Sequence, residues 1–165
     1  MTSIEYYESP LGRILLSSDE LGLTGLWFDG EKYYPDNLHI NCVEQETAIL
    51  KEAKLWLDIY FSGREPDFVP PLHPQGSAFR LLVWKHLLDI PYGKTTTYGD
   101  IACKVAAEKG IERMSSQAIG GAAAHNAISI IIPCHRVTGA NGHLTGYAGG
   151  IERKAKLLEL ERCLA

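Results

Sequence analysis

Two adjacent residues in the second half of the chain, Cys134 and His135, have the side chains best suited to chemistry. A cysteine attacks as its thiolate, which requires a base or a nearby positive charge. The imidazole of a histidine titrates near neutral pH and can act as that base. Because adjacent side chains of an extended chain point apart, a water molecule would have to connect the two. A buried structural cysteine is the commoner fate of a free thiol, so the residue types alone leave both interpretations open.

The other cysteines do not complete a recognisable cluster. Cys42, Cys103 and Cys163 are far apart in sequence, and no CxxC pair is present. A disulfide framework is therefore not expected. The six histidines are not grouped with the cysteines at the spacing of zinc ligands, so we predict no structural metal and no cofactor.

The residues around Cys134 predict how the chain presents this side chain. The apolar run ISIII at 128–132 predicts a buried strand, and Cys134 follows it after one proline. A loop rich in glycine comes next, over residues 139–150. A final helix is predicted over about 151–164.

Three helices are predicted upstream of this strand. The first begins at Ser77, which can cap it, and extends to about residue 90. The second covers 98–109, after a capping box at 97–100, and ends at Gly110. The third, over about 116–124, is poor in bulky side chains. Two consecutive short helices predict a helix-turn-helix, and the small side chains favour either close approach to nucleic acid or tight helix packing.

The first half of the chain has a different pattern. Short β-rich runs at 4–8, 13–17 and 21–28 predict an antiparallel meander. A helical pattern follows over about 43–61. Residues 62–76 then contain four prolines and two glycines, which is typical of a linker, so we place a domain boundary near residue 76.

The charge distribution changes at the same boundary. Residues 1–76 contain five basic and thirteen acidic residues, a net charge of −8, whereas residues 77–165 contain eleven and seven, a net charge of +4. An acidic half joined to a basic half indicates two units, of which the second could contact phosphate. Ordinary variation between protein surfaces is the alternative explanation.

Several motifs occur in a fixed order along the second half. They are IPYG at 90–93, YGDIA at 98–102, IGGA at 119–122, IPCHRV at 132–137 and LTGYAGG at 144–150. From about Phe79 to Glu161 the chain resembles the O6-alkylguanine-DNA alkyltransferases, also called methylated-DNA–protein-cysteine methyltransferases. The resemblance implies a two-domain α+β fold. Residues 1–76 would form a ribonuclease-H-like α/β domain with an antiparallel sheet and a helix, and residues 77–165 a mainly helical winged helix-turn-helix domain.

The resemblance implies a role in the reaction for four side chains. Cys134 matches the acceptor cysteine, which takes the alkyl group from guanine O6 by in-line displacement and keeps it, so each molecule reacts once. His135 matches the residue that acts through water as base for the thiol, and Glu161 matches the carboxylate that orients the histidine. Tyr98 matches the tyrosine that hydrogen-bonds the flipped guanine and helps to protonate it as it leaves. Without the resemblance, Glu161 would be interpreted as part of a solvated helix face.

Further residues match positions that hold the base. The backbone carbonyls of Val137 and Cys134 match acceptors for the guanine amine, and the backbone N–H of Ala148 matches a donor to O6. Tyr147 lies in the same motif and is assigned to the base site. Asn126 matches an asparagine that ties the recognition helix to the active-site strand, and a simple helix C-cap is its alternative interpretation.

The implied partner is double-stranded DNA that carries an alkylated base. Because guanine O6 lies inside the duplex, the base must be flipped out of the stack. The family docks its small-residue helix in the minor groove, and Ser116 and Gly120 fit such a close approach. Many members carry an arginine on this helix to fill the vacated space, and the matching residue here is Gln117. The segment 104–115 is also longer than the usual form, and we assign it no role.

The resemblance implies a monomeric repair enzyme for O6-alkylguanine and O4-alkylthymine. No apolar run approaches the length of a membrane span, and the N-terminus lacks a basic patch followed by an apolar stretch, so a cytoplasmic location is expected. Some family members bind zinc through cysteines and histidines of the N-terminal half. That half contains only Cys42, His39 and His73 here, so we predict no zinc.

Three other functions are compatible with parts of this pattern. A lesion sensor of the same fold would typically have tryptophan in place of Cys134. A helix-turn-helix regulator with a sensing cysteine would carry further DNA-binding modules, for which the two expected halves leave no room in 165 residues. A cysteine hydrolase would need an oxyanion-hole motif and a separate histidine, and neither is evident.

Overall fold

The computed structural model describes residues 1–162 as two compact units. The first unit contains Met1–Gln75 together with Ala127–Ser129, and the second contains Gly76–Asn126 and the chain from Ile130 onward. The predicted domains, 1–76 and 77–165, place residues 127–129 in the second half. None of the helices in residues 1–162 combines the length and apolarity needed to cross a bilayer.

A four-stranded sheet forms the first unit. Its strands are β1 (Thr2–Ser9), β2 (Gly12–Ser18), β3 (Leu23–Phe28) and β4 (Cys42–Glu44), in the spatial order β3-β2-β1-β4. The first three strands are antiparallel, as the meander predicted, whereas β4 is parallel to β1. The prediction of a helix from about residue 43 was therefore wrong at its start, because residues 42–44 pair with the sheet.

One helix packs on this sheet. Helix α1 (Ala48–Phe61) begins where the extended Thr47 accepts a hydrogen bond from Leu50 N through its side chain, which is N-cap geometry. Its fully buried face includes Leu50, Ala53 and Leu57. These residues recur at helical spacing, so burial of one apolar stripe stabilises the helix against the strands.

The second unit is mainly helical. It contains α2 (Ala78–Leu88), α3 (Tyr98–Lys109), α4 (Ser116–Ala124) and α5 (Ile151–Leu160), with a short parallel pair of strands, β5 (Thr96–Thr97) and β6 (Val137–Thr138). Serine or threonine side chains cap the first three helices, and these caps are Ser77, Thr97 and Ser115. Gly110 ends α3 in the left-handed conformation, as predicted.

Helix α4 uses its small side chains on two faces. Ile119, Ala122 and Ala123 are buried, and the indole Nε1 of Trp84 donates to the backbone oxygen of Ala122 at 2.8 Å. Gln117 is exposed on the opposite face. The small residues therefore allow tight helix packing, which is one of the two interpretations of the pattern.

The predicted strand at 128–132 is not formed. Ile128 makes a single isolated bridge to Leu26, and the chain then turns, because Ile130 has a φ of 69°. Burial of this apolar run was correctly predicted, since Ile128, Ile130 and Ile132 are fully buried. A short apolar run indicates burial but does not by itself determine backbone conformation.

The last helix is shorter than predicted. Helix α5 ends at Leu160, and Arg162 adopts a left-handed φ of 64°. The predicted end near Leu164 lies outside the residues that the structure describes.

Candidate active site

The thiol of Cys134 is buried at the start of a short 3-10 turn, Cys134–Arg136, and the residue is 5% exposed. Pro133 has φ −83° and ψ 63°, and Cys134 N donates to Ile132 O at 2.8 Å. These values describe an inverse γ-turn. Because the ring of Pro133 already restricts φ to about this value, the proline favours the turn that positions the thiol of Cys134.

An amide group contacts the sulfur directly. The Nδ2 of Asn126 lies 3.3 Å from Cys134 Sγ and 2.7 Å from Ile132 O, and donates to both. Asn126 follows α4, so its side chain links the end of this helix to the turn at Pro133 and Cys134. A donor on sulfur favours the charged form of a thiol.

The two residues that follow Cys134, His135 and Arg136, both contact the same carboxylate. Glu161, which follows α5, places its Oε2 2.6 Å from His135 Nε2 and its Oε1 2.7 Å from Arg136 Nε. Gly93 N also donates to Oε1, at 3.3 Å. Arg136 donates through Nη1 to Ile90 O at 2.7 Å. One buried carboxylate therefore holds both side chains that follow the cysteine.

The charges in this cluster set the state of His135. Burial would raise the pKa of Glu161, but the hydrogen bonds from His135 and Arg136, together with the positive charge of the guanidinium, outweigh it and lower the pKa to about 2. Burial lowers the pKa of His135, against the opposing effect of Glu161. The imidazole is therefore neutral near pH 7, and its Nε2 proton points to Glu161. The buried Nδ1 has no hydrogen-bond partner in residues 1–162, so this nitrogen can accept a proton.

Tyr98 begins α3 and faces the glycine-rich loop. Its hydroxyl lies 3.5 Å from Gly146 O, to which it donates, and accepts from Thr145 Oγ1 at 3.3 Å. Burial and the negative charge of a Cys134 thiolate raise the pKa of Tyr98. The phenol is therefore protonated at neutral pH and can act as a proton donor.

Lys154 lies near this cluster and was not predicted as a site residue. It is 0% exposed, and its Nζ donates to Val137 O at 2.6 Å and to Thr145 O at 3.3 Å. The ammonium also lies 5.8 Å from the centre of the Tyr98 ring. Burial lowers the pKa of Lys154 to about 8, and the charge of Cys134 opposes this. A buried cation is thus available to the thiolate.

A sequence signal for this lysine was present in α5. The buried residues of this segment are Lys154, Leu157, Leu158 and Glu161. They recur at positions i, i+3, i+4 and i+7, which is the spacing of one helix face. Two leucines on that face predict that the lysine and the glutamate point inward with them.

The remaining predicted site residues lie in β6, in the glycine-rich loop and on α4. Val137 is buried in β6, and Tyr147 and Ala148 are half-buried in the glycine-rich loop. Ser116 and Gln117 are exposed on α4. A Cβ added at the half-buried Gly120 would lie 4.0 Å from the Tyr98 ring, so this glycine faces the tyrosine. Within residues 1–162, no group of three or more metal-ligating side chains is found.

Comparison with known proteins identifies the family. The family model described as 6-O-methylguanine DNA methyltransferase, DNA binding domain, matches residues 78–163, and the ribonuclease-like domain of the same enzymes matches residues 3–74. The chain belongs to the 6-O-methylguanine DNA methyltransferase family. This confirms the two-domain fold and the family predicted from the motifs.

Known relatives and solved structures are similar to this chain over nearly its whole length. The methylated-DNA–protein-cysteine methyltransferase of Methanosarcina acetivorans is 46% identical, over 94% of this chain and 95% of the relative. That of Haemophilus influenzae is 39% identical, over 95% and 84%. The crystal structure of the Mycobacterium tuberculosis O6-methylguanine methyltransferase has a TM-score of 0.83 at 40% identity, over 100% of this chain and 95% of that one.

A structure of the Mycobacterium tuberculosis protein OGT in complex with DNA is also similar, with a TM-score of 0.84 at 38% identity, over 97% and 92% of the two chains. As a member of this methyltransferase family, the chain repairs O6-methylguanine in DNA by transferring the methyl group to a protein cysteine. This confirms the predicted repair of O6-methylguanine by methyl transfer to a cysteine.

Removal of the buried ammonium should make the thiol harder to ionise. We expect Lys154→Met to raise the pH midpoint at which Cys134 reacts with iodoacetamide by about one unit, because a nearby cation favours the thiolate. Alkylation rates measured across a pH series, with the modified residue identified by peptide mass, give this midpoint. Lys156→Met, which removes an exposed charge from the same helix, should leave it unchanged. Equal midpoints for Lys154→Met and the wild type would contradict the electrostatic role.

The carboxylate of Glu161 should make the fold sensitive to acid. Because its pKa falls from 4.5 to about 2 in the folded protein, the ionised group stabilises the fold above the ordinary value. That contribution, about 3 kcal/mol, is lost as the pH falls from roughly 4.5 toward 2. Urea unfolding across this range should show a steeper loss of stability for the wild type than for Glu161→Gln.

Glu159→Gln is the matched control for this prediction, because Glu159 is exposed on the same helix. Its unfolding free energy should follow that of the wild type across the acid range. Parallel curves for Glu161→Gln and the wild type would show that the buried carboxylate does not contribute.

Proposed function

We propose that Cys134 is the cysteine that accepts the methyl group. The surroundings of the buried thiol carry this assignment. Asn126 donates a hydrogen bond to the sulfur, and the neutral His135, which follows Cys134 in the chain, is hydrogen-bonded to Glu161. Cys103, by contrast, is exposed on α3. A nucleophilic thiol needs a base and an orienting group, and only Cys134 of the described cysteines has both beside it.

The proposed reaction is one displacement with two proton transfers. The thiol proton passes through a water molecule to His135 Nδ1, and the imidazolium that forms is stabilised by Glu161. The thiolate then attacks the methyl carbon in line with O6, so that the S–C bond forms as the C–O6 bond breaks. The electron pair of that bond goes to guanine, which takes the phenol proton of Tyr98 and leaves neutral. The thioether is stable, so each molecule reacts once.

The walls of the proposed base pocket are largely main chain. The carbonyls of Val137 and Cys134 accept from the guanine amine, and Ala148 N donates to O6, with Tyr147 beside it. Val137 and Cys134 are buried. A lesion must therefore leave the base stack to reach the sulfur, which supports recognition of a flipped nucleotide.

The proposed DNA-binding surface is the exposed face of α4. Ser116 and Gln117 are exposed there, and Gly120 adds no side chain, which permits close approach to a minor groove. The net charge of +4 over residues 77–165 favours a phosphate backbone as partner. We also propose that the protein repairs O4-alkylthymine, acts as a monomer and is located in the cytoplasm.

Intact mass spectrometry tests the acceptor assignment. After incubation with a duplex oligonucleotide containing O6-methylguanine, the protein should gain one methyl group, located on Cys134 by peptide mapping. Cys134→Ser should gain none, and the control Cys103→Ser should react like the wild type. A methyl group on any other cysteine would overturn the assignment.

Gln117 on α4 should limit how readily the protein binds DNA and flips the damaged base, and not the methyl-transfer step itself. We expect Gln117→Arg to bind duplex DNA several-fold more tightly and to react faster at low DNA concentration, because the longer cation can fill the vacated space and attract phosphate. The rate at saturating duplex should change less. Reaction with the free base O6-methylguanine, which needs no flipping, should be unchanged.

A charge control separates this local effect from a general one. Gln75→Arg adds the same charge at an exposed position of the first unit and should leave both reactions as in the wild type. Gln117→Arg reacting no faster with duplex DNA would count against the proposed role of this position.

A further inference from the structure

Three residues that precede the active-site turn are hydrogen-bonded within the first unit. Leu26 N donates to Ala127 O at 2.8 Å, and Ser129 N donates to Leu26 O at 3.0 Å. Leu26 belongs to β3, which lies at one edge of the sheet. Residues 127–129 therefore extend the edge of the sheet by a short stretch of backbone pairing.

A buried side-chain pair adds to these backbone bonds. Glu31 is 4% exposed and Ser129 is 2% exposed, and Ser129 Oγ donates to Glu31 Oε1 at 3.0 Å. The same oxygen accepts from Phe28 N at 3.4 Å. The turn after β3 is already closed by a backbone bond from Glu31 N to Phe28 O at 3.1 Å. Closing that turn does not require a buried carboxylate, and burying one is costly.

The residues on either side of this segment belong to the active site. Asn126, immediately before it, contacts Cys134 Sγ and Ile132 O. Ile130, immediately after it, has a φ of 69°. A β-branched residue disfavours the left-handed region, so this conformation persists only where the chain on both sides is held.

We propose that Glu31, acting through Ser129, is a positioning residue for methyl transfer. The carboxylate fixes the chain just before Ile130, and Asn126 fixes it just after, at Ile132. Together they hold the left-handed turn that leads to Cys134. An in-line displacement requires the sulfur to lie close to the methyl carbon and opposite O6, so a small shift of this turn slows the reaction. The inference rests on Cys134 being the acceptor.

Single-turnover kinetics on the full-length protein test this role. Ser129→Ala and Glu31→Ala remove the side-chain hydrogen bond, whereas Glu31→Gln keeps an oxygen that can accept it. With duplex DNA containing O6-methylguanine, we expect the saturated rate per folded molecule to fall about tenfold in both alanine variants. The DNA concentration for half-maximal rate should stay within about twofold, and Glu31→Gln should recover most of the rate.

Ser17→Ala is the matched control for a purely structural effect. Ser17 is also buried in the sheet, where its hydroxyl lies 2.8 Å from Thr24 Oγ1. Its loss should lower stability without lowering the saturated rate. Alkylation of Cys134 by iodoacetamide should change little in any of these variants, because a small reagent does not require the alignment that the DNA substrate imposes.

The results of these experiments distinguish a positioning role of Glu31 and Ser129 from a purely structural one. Wild-type saturated rates in Ser129→Ala, or an equal slowing in Ser17→Ala, would overturn the positioning role. If Glu31→Ala does not fold, Ser129→Ala decides the question. Peptide mapping of the wild type in the same experiment reports whether Cys134 carries the methyl group, so failure of the acceptor assignment is distinguished from failure of this inference.

Discussion

The carboxylate of Glu161 holds together the parts of the second unit that surround Cys134. One oxygen lies 2.6 Å from His135 Nε2, and the other lies 2.7 Å from Arg136 Nε. Arg136 in turn reaches Ile90 O, just after α2. Because all three charged or titratable groups are buried, loss of one partner would leave an uncompensated group away from water. The end of α5, the 3-10 turn after the cysteine and the chain after α2 therefore depend on one ionic cluster.

This cluster also gives the site its electrostatic character. Glu161 is ionised, His135 is neutral, and Arg136 and Lys154 are cationic, so the buried groups carry one net positive charge while the thiol is protonated. Ionisation of Cys134 brings a negative charge into surroundings that favour it, without help from bulk solvent. The same positive charges lower the pKa of His135, which keeps the imidazole ready to accept a proton. One arrangement of charge thus serves both Cys134, the proposed nucleophile, and His135, its proposed base.

Local signals predicted much of this architecture, and their failures have physical causes. Caps such as Ser77 and Thr97 act within one turn, so helix starts could be predicted from neighbouring residues. The apolar run at 128–132 was predicted to be buried but not to turn at Ile130, because periodicity does not report φ. Lys154 was missed because a lysine is usually exposed, and its inward orientation follows from the leucines that share its helix face. Without the resemblance, the roles of Glu161 and Tyr98 could not be predicted, since each depends on partners distant in sequence.

Helix α4 combines close packing with a link to the sulfur of Cys134. Helix α4 packs so closely that the indole of Trp84 donates to the backbone oxygen of Ala122. Such an approach requires small side chains on the buried face. The opposite face projects few side-chain atoms for a separate reason, because the half-buried Gly120 and the exposed Gly121 carry no side chains. Asn126 then connects the end of this helix to Cys134 Sγ. The amide of Asn126 therefore links the end of α4 to the sulfur, so a displacement of this helix would change the surroundings of the thiol.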